Sequence, residues 1–263
     1  MQKKINNWRI WKKNPSYGEK LYKRATGKLD EMESSKALSR TLSSFYKPKM
    51  KLLDVGCGVG HYLRSFRLRL DKNIDYTGVD ATEYYIQLAK KAFNKNHQNF
   101  FVGDVLNLPF KDNSFDIVIC NNLILHLPPP PIKAISELIR VSKNYVVIRT
   151  VFGERNYIIK EVKSPYNDDQ LKTFFKKTKE IINKNGEPFL YNFFNIYTEQ
   201  YLKDIIRKTN KDIKIKIVKD DKWKIFGNKK EAKGETTATR VIDKKQVSGN
   251  LLLDWRFIIL KKG

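Results

Sequence analysis

Between about residues 50 and 150 the apolar positions switch repeatedly between a short continuous run and a helical period. Lys51-Leu52-Leu53-Asp54-Val55 is an apolar run closed by glycines, the pattern of a buried strand. Tyr62 to Leu70 follows as a helix, and Tyr76-Thr77-Gly78-Val79-Asp80 as a second strand. Thr82 suits an N-cap, and Tyr85, Leu88, Ala89, Ala92 and Phe93 then recur at the spacing of one helix face. Asn99 to Gly103 reads as a third strand. Phe115 to Cys120 reads as a fourth, apolar enough for the middle of a parallel sheet. Pro131 opens a helix carrying Ile132, Ile135, Leu138 and Ile139, and Tyr145 to Val151 is a fifth strand. Repeated strand–helix units predict a parallel sheet covered by helices on both faces.

Two flanks surround this block. Ser35 to Tyr46 places Leu38, Leu42 and Phe45 on one helix face. After the fifth strand, Asp168 or Asp169 is placed to cap a helix with Leu171, Phe174, Phe175, Ile181 and Ile182, ended by Asn185-Gly186. Thr198 is placed to cap another, holding Tyr201, Leu202, Ile205 and Ile206. Ile213 to Ile217 alternates like a strand with one wet face, and Arg256 to Leu260 is a last strand. The polar stretch 228–245 reads as a loop or long hairpin. We therefore expect an N-terminal helical lid over residues 1–48 and a main domain over 49–263, with a helical insertion around 153–197.

Composition adds limits. A chain of 263 residues with 41% hydrophobic content can bury one core. No run reaches the roughly 18 apolar residues that a membrane helix needs. Met1 to Asn6 is not followed by an apolar stretch, so no secretory signal is expected. Cys57 and Cys120 supply neither a disulfide framework nor a metal-site spacing, and we expect them reduced, in a cytoplasmic protein. The net charge of +24 invites a nucleic-acid partner, but 40 of the 52 basic residues are Lys. Phosphate-reading surfaces lean on Arg for bidentate contacts. The excess is concentrated at +9 in residues 1–50 and +8 in 211–263, against +4 in 51–151. It reads as a solvated Lys-rich surface, with attraction of an anionic substrate as the sharper alternative.

The chemistry sits at the ends of the strands. Gly56, Gly58 and Gly60 remove side chains where the first strand turns into a helix, so backbone can approach a ligand. Ligands of open parallel sheets bind beyond such carboxyl ends. The spacing is G-x-G-x-G, with Asp54 two residues ahead, and differs from the G-x-G-x-x-G of dinucleotide folds. Asp80 ends the second strand, where a carboxylate can accept from both ribose hydroxyls. Asp104 follows the third, where it can accept from an adenine amino group beside the Val105 N–H. One such Asp would read as a cap; three on successive strand ends point to a nucleoside.

These residues resemble a known family. Leu53 to Gly60 is similar to the first motif of class I S-adenosylmethionine-dependent methyltransferases, and Tyr76 to Asp80 to their second. Val102 to Phe110 and Asn113 to Ile119 resemble the third and fourth in the small-molecule branch that includes the ubiquinone and menaquinone (type 11) enzymes. The resemblance spans roughly residues 50–150. It implies an α/β, Rossmann-like three-layer sandwich whose seven-stranded, mostly parallel sheet ends in an antiparallel hairpin, and S-adenosyl-L-methionine as cofactor. It implies that Asp54, Gly56, Cys57, Gly58 and Gly60 form the donor loop. Asp80 with Ala81 would hold the ribose, Asp104 and Val105 the adenine, and Asn121 would lie under the sulfonium. The chain departs from the family at Ser142-Lys143-Asn144-Tyr145, where a Lys-Pro-Gly-Gly turn is usual.

The acceptor is less legible. His126 is the candidate base for an acceptor that must lose a proton; the simpler reading is a histidine that hydrogen-bonds to shape its loop. The segment Tyr17 to Arg24 stands where lid helices of relatives stand, and Tyr17, Tyr22 or Arg24 is a candidate to close over the donor, with Arg24 near its carboxylate. Pro128 to Pro131 come too late after Asn121-Asn122, and without an aromatic, for the motif of nucleic-acid amino-methyltransferases. We expect transfer to an oxygen or nitrogen of a small molecule such as a sugar. The alternatives are an RNA methyltransferase using the basic flanks and a non-catalytic nucleotide-binding module. No metal is implied, and nothing in the pattern sets an oligomeric state.

Overall fold

The computed structural model describes residues 15–163, 180–220, 240–242, 245–248 and 251–263. Five parallel strands carry the first half of the sheet: β1 (Lys51–Val55), β2 (Asp75–Asp80), β3 (Phe100–Val102), β4 (Phe115–Asn121) and β5 (Ser142–Phe152). They lie in the order β3-β2-β1-β4-β5, so the chain reverses its direction of progress between β1 and β4. The helices between them are α3 (His61–Arg69), α4 (Glu83–Ala92) and α5 (Ile132–Val141). The last strand, β11 (Leu251–Lys261), runs antiparallel to β5, and β8 (Lys214–Lys219) antiparallel to β11.

Those seven strands are the expected frame, and two more join it. β10 (Lys245–Ser248) pairs with the start of β11, and β9 (Arg240–Ile242) pairs with β10. Among the described residues the sheet therefore has nine strands. The difference arises because β11 begins five residues before the expected Arg256 and projects past its partners, leaving Leu251 to Leu253 to be paired by β10.

Strand side chains alternate between faces, and this alternation builds the two outer layers. Leu52, Ile117, Ile119, Val147 and Phe257 join one apolar cluster with α3, α4 and two N-terminal helices, α1 (Pro15–Ala25) and α2 (Glu33–Leu42). Their neighbours Leu53, Val118, Cys120, Val146, Ile148 and Ile258 join the other, under α5 and α6 (Glu199–Thr209). The N-terminal helices thus share a core with the sheet. Thr198 does cap α6, its hydroxyl accepting from the Tyr201 N–H at 3.2 Å.

Other expectations shift. α2 ends at Leu42, short of Phe45. Ser43 and Ser44 turn their hydroxyls back onto the Arg40 and Thr41 carbonyls, which competes with helix continuation. Phe45 instead stacks on Tyr145 with ring centroids 4.4 Å apart. Most of the helix expected over 171–182 lies outside the described residues. Its last positions, Ile181 and Ile182, are not helical: Ile182 bridges to Pro188 across a turn at Gly186. There the Asn183 side chain accepts the N–H groups of Asn185 and Glu187, which replaces helix with turn. That turn leads into β7 (Tyr191–Phe193), which pairs antiparallel with β6 (Lys160–Val162) in a small second sheet.

Leu38 in α2 and Leu138 in α5 are fully buried on opposite faces. Leu38→Ala and Leu138→Ala are each expected to lose about 2–5 kcal/mol of stability, in one cooperative urea transition. An unchanged midpoint for Leu38→Ala would mean that the N-terminal flank folds apart from the sheet.

Candidate active site

The turn after β1 is built from left-handed backbone. Gly56 has φ +77° and Gly58 φ +55°, conformations that L side chains rarely adopt. A Cβ on Gly58 would also lie 2.9 Å from Leu21 Cδ1 of α1. The Gly56 and Cys57 N–H groups donate to the Val79 carbonyl at 2.8 and 3.1 Å, so the loop is held to the end of β2. The Gly58 N–H donates to Asp80 Oδ2 at 2.9 Å, and the Thr82 N–H to Asp80 Oδ1 at 2.8 Å. Thr82 occupies the N-cap position of α4 without capping it; its hydroxyl supports Asp80 instead. Burial pushes the Asp80 carboxyl up from its ordinary value, and these hydrogen bonds hold it down. Three bonds still leave part of the acceptor capacity of a carboxylate unspent.

This turn walls a cavity of about 340 Å³ at the carboxyl ends of the parallel strands. Gly56, Gly58, Asp80, Ala81, Asp104, Val105, Asn121 and His126 all line it. Asp104 follows β3 after Gly103 and takes the Leu106 N–H at 3.0 Å, which closes a tight turn beside Val105. Asn121 ends β4, and its amide oxygen and nitrogen are both buried without a hydrogen-bond partner. Leaving such groups unmet costs about 1–3 kcal/mol each, a cost that a ligand can remove.

Four expected site residues lie elsewhere. Asp54 is 1% exposed, beneath the loop, and accepts from the Tyr76 hydroxyl at 2.7 Å. Burial raises its carboxyl to about 7 against that hydrogen bond. Cys57 is fully buried, and its N–H is engaged by Val79, so it offers the cavity no backbone donor. Gly60 serves as the N-cap of α3, packed against Phe100. Arg24 is buried beside the cavity and donates to the Asp30 carbonyl at 2.6 Å. Cys57 and Cys120 are free thiols that burial makes hard to ionise, and both feel the charge of Asp54.

The far half of the cavity has a different chemistry. Leu123, Leu125, Leu127, Phe194, Leu253 and Trp255 wall it. Its polar groups are already engaged: Trp255 Nε1 donates to Gln246 Oε1 at 2.8 Å, and Arg149 donates to Asn122 Oδ1 at 2.6 Å. Arg149 is itself buried, paired with Asp220 at 2.7 Å and stacked over the Trp255 ring at 4.0 Å. His126 Nδ1 lies 2.7 Å from the Phe193 carbonyl, which makes Nδ1 the protonated nitrogen and Nε2 the basic one. Burial lowers its pKa, so the ring is neutral at physiological pH.

Sequence reasoning missed several lining residues. Gln246, Leu253 and Trp255 arrive from β10 and β11, and no local pattern connects them with Asn121. His61 is the first residue of α3, and a lone histidine behind a glycine loop carries no signal by itself. Leu21 enters from α1, one turn after Tyr17, which was expected near the donor and does line the cavity.

Residues 53–148 match the methyltransferase domain family Methyltransf_11. An uncharacterised protein of Methanocaldococcus jannaschii is 30% identical over 177 residues, which cover 64% of this chain and 72% of that one. A ubiquinone/menaquinone biosynthesis C-methyltransferase of Campylobacter jejuni is 27% identical over 169 residues, 62% of this chain and 69% of its own. Sterol 24-C-methyltransferases of Gibberella zeae also match, and the chain spans about a third of their length. Among solved structures, a SAM-dependent methyltransferase of Thermotoga maritima superposes with a TM-score of 0.52 at 18% identity, over 97% of this chain and all of that one. The chain belongs to the class I S-adenosylmethionine-dependent methyltransferases. Within them it is of the type 11 kind, an enzyme whose methyl donor is S-adenosylmethionine. The cavity suits that donor: glycine backbone where a side chain would intrude, unspent carboxylate capacity on Asp80, and the orphaned Asn121 amide.

Asp54 yields a pH test. Its native pKa of about 7 lies above the ordinary 3.8, so between those values the folded state holds a proton that the unfolded state has lost. Stability then falls as pH rises through that window. Relative to wild type, Asp54→Asn is expected to gain stability as pH rises from 4 to 7 and to level off above 8, in urea titrations at fixed ionic strength. A pH-independent difference would mean that Asp54 ionises normally.

Proposed function

We propose that the enzyme methylates an uncharged, largely apolar small molecule at a carbon atom. The observation that carries this is the far half of the cavity: its walls are leucine, phenylalanine and tryptophan, and Trp255 Nε1, Gln246 Oε1 and Asn122 Oδ1 there already have protein partners. A sugar would lose hydrogen bonds there without replacement. Among the described residues, no Lys or Arg lines the cavity, which speaks against an RNA phosphate beside the reacting atom. Carbon replaces the expected oxygen or nitrogen because the quinone and sterol relatives are named as C-methyltransferases. A reducing, cytoplasmic setting belongs to this reading, in keeping with two free buried thiols. No helix among the described residues is long and apolar enough to cross a membrane.

In this reading Gly56 and Gly58 receive the methionine part through backbone, Asp80 and Ala81 the ribose, and Asp104 and Val105 the adenine. Asn121 lies near the sulfonium. S-adenosylmethionine supplies a methyl group already activated on a positive sulfur, so the protein's task is alignment of acceptor and donor. As the new carbon–methyl bond forms and the methyl–sulfur bond breaks, the acceptor carbon must release a proton. His126 Nε2 is the base placed to receive it, with Nδ1 held by the Phe193 carbonyl. The same hydrogen bond ties the loop after β4 to β7, so His126 also shapes the acceptor half.

Asp80→Asn is expected to weaken donor binding at least tenfold by calorimetry, because one of the two acceptor oxygens becomes an NH2 donor. His126→Gln is expected to keep donor affinity and to lower turnover about 100-fold. Near-normal turnover would remove the base role and leave loop shaping. The acceptor class is checked with methyl-labelled donor and extracts divided into lipid, polar-metabolite, protein and RNA fractions. Label confined to the lipid fraction supports the proposal, and label in polar metabolites or RNA refutes it.

A further inference from the structure

His61 stands at the N-terminus of α3 and lines the donor half of the cavity. Both of its ring nitrogens are buried, and neither makes a hydrogen bond. Its ring packs on Tyr62 at 4.5 Å between centroids, but the Tyr62 hydroxyl donates to Ser34 and is not directed to His61. Burial, and then the positive charge of Arg24, keep the imidazole neutral, with a pKa of about 3. A neutral imidazole always carries one N–H, and a buried N–H without an acceptor in a cavity wall calls for a ligand that brings one.

The surroundings define the chemistry of that ligand. The N-terminal pole of α3 favours negative charge. The Arg24 guanidinium, held by the Asp30 carbonyl, adds a fixed positive charge that also acts on Tyr17. Gly56 and Gly58, both in left-handed backbone, line the same cavity. His61, the pole of α3 and the Arg24 charge together favour a compact anion at this end. The donor has one, the carboxylate of its methionine part.

We propose that His61 anchors the donor's amino-acid carboxylate through an imidazole N–H, with Arg24 supplying the charge from behind rather than by contact. This rests on the reading of the cavity as the donor site. It revises the sequence expectation, in which Arg24 itself met the carboxylate. The second torsion of a histidine side chain is broad, so a modest ring rotation presents a nitrogen to the cavity.

The test uses the full chain and calorimetry with two probes: S-adenosylmethionine and its decarboxylated analogue, which keeps the adenosine, the sulfonium and the amine. Wild type should bind the analogue at least tenfold more weakly, the weight of one charge-assisted hydrogen bond. His61→Ala should lose about tenfold in affinity for S-adenosylmethionine while binding the analogue as wild type does. His61→Asn, which keeps an N–H, should recover part of the loss. If His61→Ala still discriminates between the probes as strongly as wild type, the proposal is wrong. Failure of the donor-site reading looks different: Asp80→Asn would then leave binding of both probes unchanged. Should His61→Ala not fold, the imidazole nitrogen resonances of wild type decide. They are expected to shift on addition of S-adenosylmethionine and not of the analogue, and equal behaviour with both overturns the anchor.

Discussion

The hydrogen bond from the Gly58 N–H to Asp80 joins the carboxyl ends of β1 and β2, and the donor half of the cavity is organised around it. The two strands are parallel neighbours in register, with Asp54 beside Gly78 and Val55 beside Val79. Their following turns therefore emerge on the same rim. Val79 takes two N–H groups of the glycine turn on its carbonyl, and Asp80 takes a third on its carboxylate. Gly78 lacks a side chain where Cys57 Sγ and Phe100 press in, each within 2.9 Å of where a Cβ would stand. The left-handed turn is thus locked before any ligand arrives, which is the condition for alignment to contribute to rate.

The acceptor half depends on a second constraint, the buried guanidinium of Arg149. Removing a cation from water is costly, and Asp220, Asn122 and the faces of Trp255 and Phe257 offset that cost. The pair is better understood as a brace than as a source of stability. It holds Asn122 at φ +55° directly after Asn121, and holds Trp255 against the cavity. Donor and acceptor halves thus meet at the end of β4, one face polar and orphaned, the other apolar and satisfied.

Much of this was legible in the residues. The five parallel strands follow from apolar runs closed by glycine or aspartate, and α6 from its threonine cap and 3.6-residue period. The glycine turn, Asp80, Asp104 and Asn121 converge because successive parallel strands deliver their ends to one rim. Motif membership did not reveal which way each side chain points. Asp54 and Cys57 belong to the glycine motif yet face the core, and Gly60 caps a helix. The helix expected to reach Ile182 failed because a single asparagine, Asn183, satisfies two backbone N–H groups locally. β9 and β10 went unseen because their pairing depends on where β11 begins.

By itself the sequence determined the parallel half of the sheet and the chemistry of the donor, since both are written in residues close together along the chain. Short-range periodicity sets which face of each strand or helix is apolar, and glycine spacing sets the turn. The tertiary structure alone decided the acceptor wall, because Leu125 meets Gln246 and Trp255 only through strand pairing across more than 100 residues. It alone also decided that both His61 ring nitrogens should be buried and unmet, since burial is a property of the packed neighbours and not of the residue.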